Sequence, residues 1–289
     1  MTQTFANHLN EPGLIVAPGV YDMLSAKIAD LAGFDALYMT GFGVVASHLG
    51  FPDAGLATYS DMVGRVRQIA EGTSTPLIAD GDTGYGGLLN VDHTVRGYEA
   101  AGAQAIQLED QEFPKRCGHT PSRRVIPIEA AAHKIKVASQ ARSSKDFKII
   151  ARTDARTGHG LDEALRRAEA FLKAGADVLF IESPESVEEM ERIGRSFNVP
   201  LLANMVDGGR TPIVDRKTLE ELGFKVAIYP VAAVLAASSA LTSLYDHIAK
   251  TGSSERWVGE MYQFADFVKL MGFQRVWEFE RANAETLES

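Results

Sequence analysis

The sequence predicts an α/β fold, a single (β/α)8 TIM barrel, on three observations. Short runs rich in Val, Ile and Leu alternate with segments of helical period. A helix that ends at glycine and turns straight into an apolar run occurs four times. The apolar runs number eight with no linker between them, which fits a closed barrel better than a doubly wound open sheet with a small second domain.

The expected strands are Leu14 to Val20, Ala36 to Thr40, Pro76 to Asp80, Ala105 to Glu109, Lys148 to Arg152, Val178 to Glu182, Pro200 to Asn204 and Lys225 to Tyr229. The repeated joint places Gly33, Gly102, Gly175 and Gly223 just before a run, where a left-handed C-cap is needed. The connection from Gln111 to Phe147 is longer than a turn plus one helix. Its first part, Glu112 to Val125, is rich in Lys, Arg, Gly and Pro and lacks an apolar face, so it reads as a lid. After the eighth unit, Trp257 to Phe279 carries both tryptophans with Tyr262, Phe264, Phe267, Phe273 and Phe279. That density needs a surface to cover, on a partner subunit or on the barrel itself. Residues 1–289 are therefore read as one barrel domain with a C-terminal helical extension from about residue 252.

Composition narrows the function. With 45% hydrophobic and 23% charged residues the chain is an ordinary globular protein. Acidic residues outnumber basic ones 38 to 29, for a net charge of -9, which argues against a nucleic-acid partner. The N-terminus lacks a signal-peptide pattern and no apolar run approaches a membrane span, so no membrane partner and a cytoplasmic address are expected. The lone cysteine, Cys117, has no partner within the chain, which suits a reducing compartment.

In a barrel of this kind the active site sits at the C-terminal ends of the strands. Those ends carry Thr40-Gly41, Asp80 and Asp82, Glu109 and Asp110, Arg152 and Asp154, Glu182, and Asn204. Asp80 and Asp82 would point to one side of an extended segment, and carboxylates that close repel unless a cation or proton intervenes. With Glu109 one strand over they form an all-oxygen set that favours Mg2+, with Mn2+ as the alternative, over zinc. Lys115, Arg116 and His119 surround Cys117 in sequence, which is expected to lower its pKa and make it reactive. Arg152 offers a rigid fork for a substrate carboxylate. The Thr40-Gly41-Phe42-Gly43 stretch would let backbone N–H groups approach an anion.

Taken in order, Asp80-Gly81-Asp82-Thr83-Gly84-Tyr85-Gly86, Leu108-Glu109-Asp110-Gln111, Lys115-Arg116-Cys117-Gly118-His119 and Ala151-Arg152-Thr153-Asp154-Ala155 resemble the isocitrate lyase/phosphoenolpyruvate mutase superfamily. The resemblance runs from about Pro18 into the C-terminal segment. It implies Mg2+ held largely through waters by Asp80, Asp82 and Glu109, with Asp53 as an outer member. It also implies a homotetramer that swaps C-terminal helices between subunits. Tyr38, Thr40 and Gly41 match the segment that holds a 2-oxo acid carboxylate, and Arg152 the arginine there. Cys117 matches a lyase proton donor, with His119 beside it and Tyr38 as the candidate base. The implied reaction is cleavage of a 2-hydroxy di- or tricarboxylate of the methylisocitrate or dimethylmalate type to pyruvate and a saturated carboxylate. Oxaloacetate hydrolysis or decarboxylation, and carboxyphosphonoenolpyruvate mutase-type phosphonate chemistry, are the alternatives. The Phe180 to Pro184 stretch, containing Glu182, and Asn204 to Pro212 look like the dimethylmalate lyase, petal-death and oxaloacetate hydrolase branch. Where that branch has Glu-Gly-Gly-Lys, this chain has Asp207-Gly208-Gly209-Arg210, which keeps charge and changes reach.

Overall fold

The computed structural model describes residues 3–120 and 123–284. Eight parallel strands close on themselves: β1 (Ile15–Val20), β2 (Leu37–Met39), β3 (Leu77–Asp80), β4 (Ala105–Glu109), β5 (Lys148–Thr153), β6 (Val178–Ile181), β7 (Leu201–Asn204) and β8 (Val226–Tyr229). β8 pairs back onto β1, as in Ile15 with Val226. Each expected apolar run is a strand whose bounds agree to within one residue.

Helix α1 (Phe5–Asn10) precedes the barrel. Between the strands lie α2 (Met23–Leu31), α3 (Gly41–Val44), which runs into a π turn, α4 (Tyr59–Gly72), α5 (Leu88–Ala100) and α6 (Ile128–Ala141). They continue with α7 (Ala155–His159), α8 (Leu161–Ala174), α9 (Val187–Ser196) and α10 (Arg216–Glu221). Helix starts are written in the sequence as caps. Asp22 and Ser25 form a capping box on α2, Thr58 and Asp61 another on α4, and Ser186 caps α9. The four joint glycines all take positive φ: Gly33 +76°, Gly102 +98°, Gly175 +105° and Gly223 +87°.

Strand residues alternate between two buried layers, which is why the runs are apolar throughout and not every second residue. Tyr38, Ile78, Ala105, Ile150, Phe180, Leu202 and Ile228 fill the barrel interior together with Phe5. Their neighbours Met39, Ala79, Ile106, Ala151, Leu179, Ala203 and Ala227 pack in the other layer, among residues of the helices. Phe5 is fully buried, and its N–H donates to Gln104 Oε1 at 2.7 Å, at the start of β4. Counting two residues on from the interior set reaches Thr40, Asp80, Arg152, Glu182 and Asn204. The register that builds the core therefore also aims the polar strand ends into the barrel mouth.

By its contacts the chain divides into Met1–Leu235 and Ala236–Ser289. Helix α11 (Ala232–Thr251) runs from the first into the second, which also holds α12 (Phe264–Leu270) and α13 (Phe273–Ala282). Trp257 Nε1 donates to Ser243 Oγ at 3.1 Å, and Phe273 lies against Trp277 with ring centroids 6.0 Å apart. None of these three helices buries a residue, and Phe264 is 81% exposed. Among the described residues no helix is long and apolar enough to cross a membrane.

Gly194 in α9 marks the tightest backbone approach in the helical layer. A Cβ there would lie 1.7 Å from the Leu222 carbonyl oxygen, so two backbones must separate to admit it. Gly194→Ala is expected to destabilise the protein by about 2 kcal/mol, the usual scale of overpacking. The readout is a lower urea midpoint with an unchanged slope; an unchanged midpoint would show that α9 shifts freely.

Candidate active site

The acidic cluster begins where β3 ends. Asp80 Oδ1 accepts from the Asp82 N–H at 3.0 Å and from Gln107 Nε2 at 3.3 Å, and Asp80 Oδ2 from the Gly41 N–H at 3.3 Å. The two aspartates do not meet through an extended segment as the spacing suggested. Asp82 sits at φ +47°, in a tight turn that also uses positive φ at Gly84, Tyr85 and Gly86, and the turn folds its N–H back onto Asp80. Burial, opposed by Lys115, pushes the Asp82 carboxyl up to about 7. Burial also pushes Glu109 well above the usual range.

Lys115 departs from the sequence expectation. It was grouped with Cys117 as local positive charge, but it is buried with its Nζ 2.5 Å from Asp53 Oδ1 and 2.7 Å from Asp82 Oδ1. Burial opposes its charge, but Asp82 and Asp53 outweigh that and hold its pKa well above the ordinary value. The lid is thereby tied to the acid cluster. The Asp82 contact is an ion pair without hydrogen-bond alignment, and Asp82 Oδ1 and Glu109 Oε1 are both buried with no hydrogen-bond partner. Asp82 Oδ1 thus answers to the Lys115 ammonium, and Glu109 Oε1 is the buried carboxylate oxygen here that a hard cation would suit. Among the described residues no group of three His, Cys, Asp or Glu is arranged to coordinate a metal directly.

Arg152 is the second centre. It is buried, with Nε 2.9 Å from Asp154 Oδ2, Nη2 2.9 Å from Asp154 Oδ1, Nη1 3.4 Å from Glu109 Oε2 and Nη2 3.5 Å from Glu182 Oε2. Its guanidinium lies 5.2 Å from the Phe180 ring centroid. Burial works against the charge, but Asp154, Glu109 and Glu182 together keep it firmly protonated. Glu182 is fully buried and accepts from Asn204 Nδ2 at 2.9 Å and the Ser183 N–H at 2.7 Å, with His119 Nε2 at 3.3 Å. Against its burial, Arg152 and His119 hold it well below the usual carboxyl range. Gly209 is fixed by the same histidine, since a Cβ there would lie 2.7 Å from His119 Nδ1.

Three site expectations change on this geometry. The Cys117 thiol is raised, not lowered, because burial outweighs the His119 N–H and the more distant Arg152 and Lys115. Tyr38 donates its hydroxyl to Gln107 Oε1 at 2.8 Å, and burial and then Asp80 push its pKa well above ordinary. A phenol so held keeps its proton in this arrangement. Two N–H groups of the stretch after β2 are engaged, with Gly41 donating to Asp80 and Gly43 to Thr40 Oγ1 at 3.4 Å. Thr40 itself still faces the cavity.

Tyr38, Thr40, Asp53, Asp80, Glu109, Cys117, His119, Arg152, Glu182 and Asn204 line one cavity of about 50 Å3. This is small beside the roughly 300 Å3 or more of most ligand pockets. A larger cavity of about 370 Å3 is lined by Gln111 to Pro114, Arg116, Arg123 and Arg124 of the lid, away from the strand-end groups. Gln107 was missed in the sequence. Its signal is a polar residue two before Glu109 in an apolar run, which is the inward register.

The likenesses to known proteins agree with this geometry. The chain is 47% identical over 272 residues to the 2,3-dimethylmalate lyase of Eubacterium barkeri, covering 94% of each. It superposes on oxaloacetate acetylhydrolase in complex with 3,3-difluorooxalacetate with a TM-score of 0.91 and 34% identity, covering 96% and 95% of the two chains. For phosphonopyruvate hydrolase in complex with oxalate and Mg2+, the TM-score is 0.86 and the identity 32%, with 96% of each chain covered. The family model for phosphoenolpyruvate phosphomutase matches residues 5–249, and with barrel, strand-end acids and lid in one chain, the protein belongs to that family.

Proposed function

We propose that the protein is a Mg2+-dependent carbon–carbon lyase that cleaves a 2-hydroxy di- or tricarboxylate, of the 2-methylisocitrate or 2,3-dimethylmalate type, to pyruvate and a saturated carboxylate. One observation carries the reading: a lid thiol, Cys117, shares a cavity with the Arg152 guanidinium and the Asp80 and Glu109 carboxylates. A proton donor thus faces a carboxylate site. The relationship to a 2,3-dimethylmalate lyase supports the choice of substrate class.

Asp80, Asp82 and Glu109, with Asp53 behind them, would hold the Mg2+ ion, which when bound supplies neutralising charge at the reacting oxygens. Arg152 takes a substrate carboxylate in its fork, and Thr40 closes that side of the cavity. Glu182 orients His119 and Asn204 toward the remaining polar groups of the substrate. A carboxylate of the cavity takes the C2 hydroxyl proton, the oxygen pair forms the C2 carbonyl, and the C2–C3 bond breaks, leaving its electrons on C3 as an enolate. Cys117 protonates that carbon while the closed lid excludes water. A thiol pushed upward by burial is the protonated form this step needs. The exposed apolar C-terminal helices are proposed to be covered by other subunits of a homotetramer, and the cytoplasm suits a lone cysteine that must stay a thiol.

Hydrolysis of oxaloacetate to oxalate and acetate is a second reading, favoured by the fold likeness to oxaloacetate acetylhydrolase. A proton NMR time course with Mg2+ and 2,3-dimethylmalate, 2-methylisocitrate or oxaloacetate separates the two. Pyruvate with propionate or succinate, abolished by EDTA, is expected; oxalate and acetate from oxaloacetate alone would replace the lyase reading. Cys117→Ser is expected to retain pyruvate binding and lose about two decades of kcat, the scale of a general acid. Near-normal turnover would remove Cys117 from the mechanism.

A further inference from the structure

Arg123 stands at the foot of the lid, where the chain rejoins the barrel. Gln111 and Val125 form an antiparallel bridge. The Glu112 N–H donates to the Arg124 carbonyl and the Ile126 N–H to the Asp110 carbonyl, each at 2.9 Å. These bonds fix the backbone on either side of the lid. The Arg123 side chain is 2% exposed; its Nη1 donates to Asp154 Oδ1 at 2.7 Å and its Nη2 to Thr157 Oγ1 at 2.5 Å.

Asp154 is also the carboxylate that Arg152 uses. Its Oδ1 accepts from both guanidiniums and its Oδ2 from Arg152 Nε. The side chain is fully buried, so one negative charge is divided between two arginines with no solvent to screen it. Arg152 meets Glu109 and Glu182 as well. Three carboxylates around one guanidinium would leave little attraction for a fourth, brought by the substrate.

We infer that Arg123 is a positioning residue for carboxylate binding: by taking a share of Asp154 it leaves Arg152 with positive charge directed at the barrel mouth. Arg123 is not among the residues lining the mouth cavity, so it acts through Asp154 and not by touching the substrate. The inference rests on Arg152 being the carboxylate fork of the proposed function. A planar fork reaching two acceptors at once is a task for arginine, while lysine would keep the charge and lose one contact.

The test uses the full chain with Mg2+, comparing wild type with Arg123→Gln, Arg123→Lys and Thr157→Val. Pyruvate affinity is measured by calorimetry, alongside KM, kcat and melting temperature. Arg123→Gln is expected to weaken pyruvate binding and raise KM by about tenfold, the scale of coupling within one charge network. Its kcat should stay within about twofold, the pattern of lost ground-state binding. Arg123→Lys should recover most of the affinity, and Thr157→Val, which leaves the charge in place, should bind pyruvate as wild type does. Unchanged affinity in Arg123→Gln overturns the inference and leaves the lyase reading standing. Equal losses in Arg123→Lys and Thr157→Val overturn it too, because the side chain would then be a strut for the lid. A wild-type protein that binds no pyruvate and turns over no candidate substrate sinks the carboxylate site, and this inference with it.

Discussion

The barrel mouth buries more negative charge than it can neutralise, and much of the site follows from that imbalance. Among the described residues Asp80, Asp82, Glu109, Asp110, Asp154 and Glu182 are buried carboxylates, and the Asp53 side chain is buried with them, against the cations Lys115, Arg152, Arg167 and the Arg123 side chain. Removing an unpaired carboxylate from water costs several kcal/mol, so the excess must be relieved by protons, by shared cations or by a bound one. All three forms of relief fit the arrangement. Burial raises Asp82 to about 7 and Asp110 to about 6. Arg167 bridges Asp110 and Glu163, and Lys115 bridges Asp53 and Asp82. The buried Glu109 Oε1, which lacks a hydrogen bond, is where a divalent ion would discharge the remainder.

The same imbalance explains why the lid is more than a cover. Lys115 carries compensating charge into the cluster from a loop, and its position fixes the neighbours that follow it in sequence. The Cys117 N–H donates to the Asp53 carbonyl at 3.2 Å, Ser183 Oγ donates to the Gly118 carbonyl at 3.2 Å, and the Arg210 N–H donates to His119 Nδ1 at 3.2 Å. Thus one motif reaches the acid cluster, the β6 end and the turn after β7. Any movement of the segment would have to break these bonds together with the Lys115 ion pairs.

The fold was legible because both faces of every strand are buried, which made each strand an apolar run, and because glycine marks four helix ends. The acids at the strand ends, Arg152 and the lid were legible for a related reason: polar residues that break such runs at one end share a rim. What escaped were relationships made by the path of the lid. Lys115 is two residues from Cys117 in sequence, and that proximity suggested a lowered thiol pKa; in space its charge is committed to Asp53 and Asp82. Arg123 gave no sequence signal because its partner Asp154 lies 31 residues away. Gln107 was visible in principle, since the inward register from Glu109 leads directly to it.

The raised thiol bears on the chemistry. A nucleophilic cysteine needs its thiolate, and a site built for one surrounds the sulfur with free positive charge. Here Lys115 and Arg152 are claimed by carboxylates and burial dominates, so the Cys117 thiol is raised and holds its proton. A retained proton is of little use to a nucleophile. It suits delivery to a carbanionic carbon, whose basicity is high enough that a weak acid transfers its proton readily once water is excluded. The electrostatics that diminish Cys117 as a nucleophile are those that would suit the donor role proposed for it in carbon–carbon cleavage.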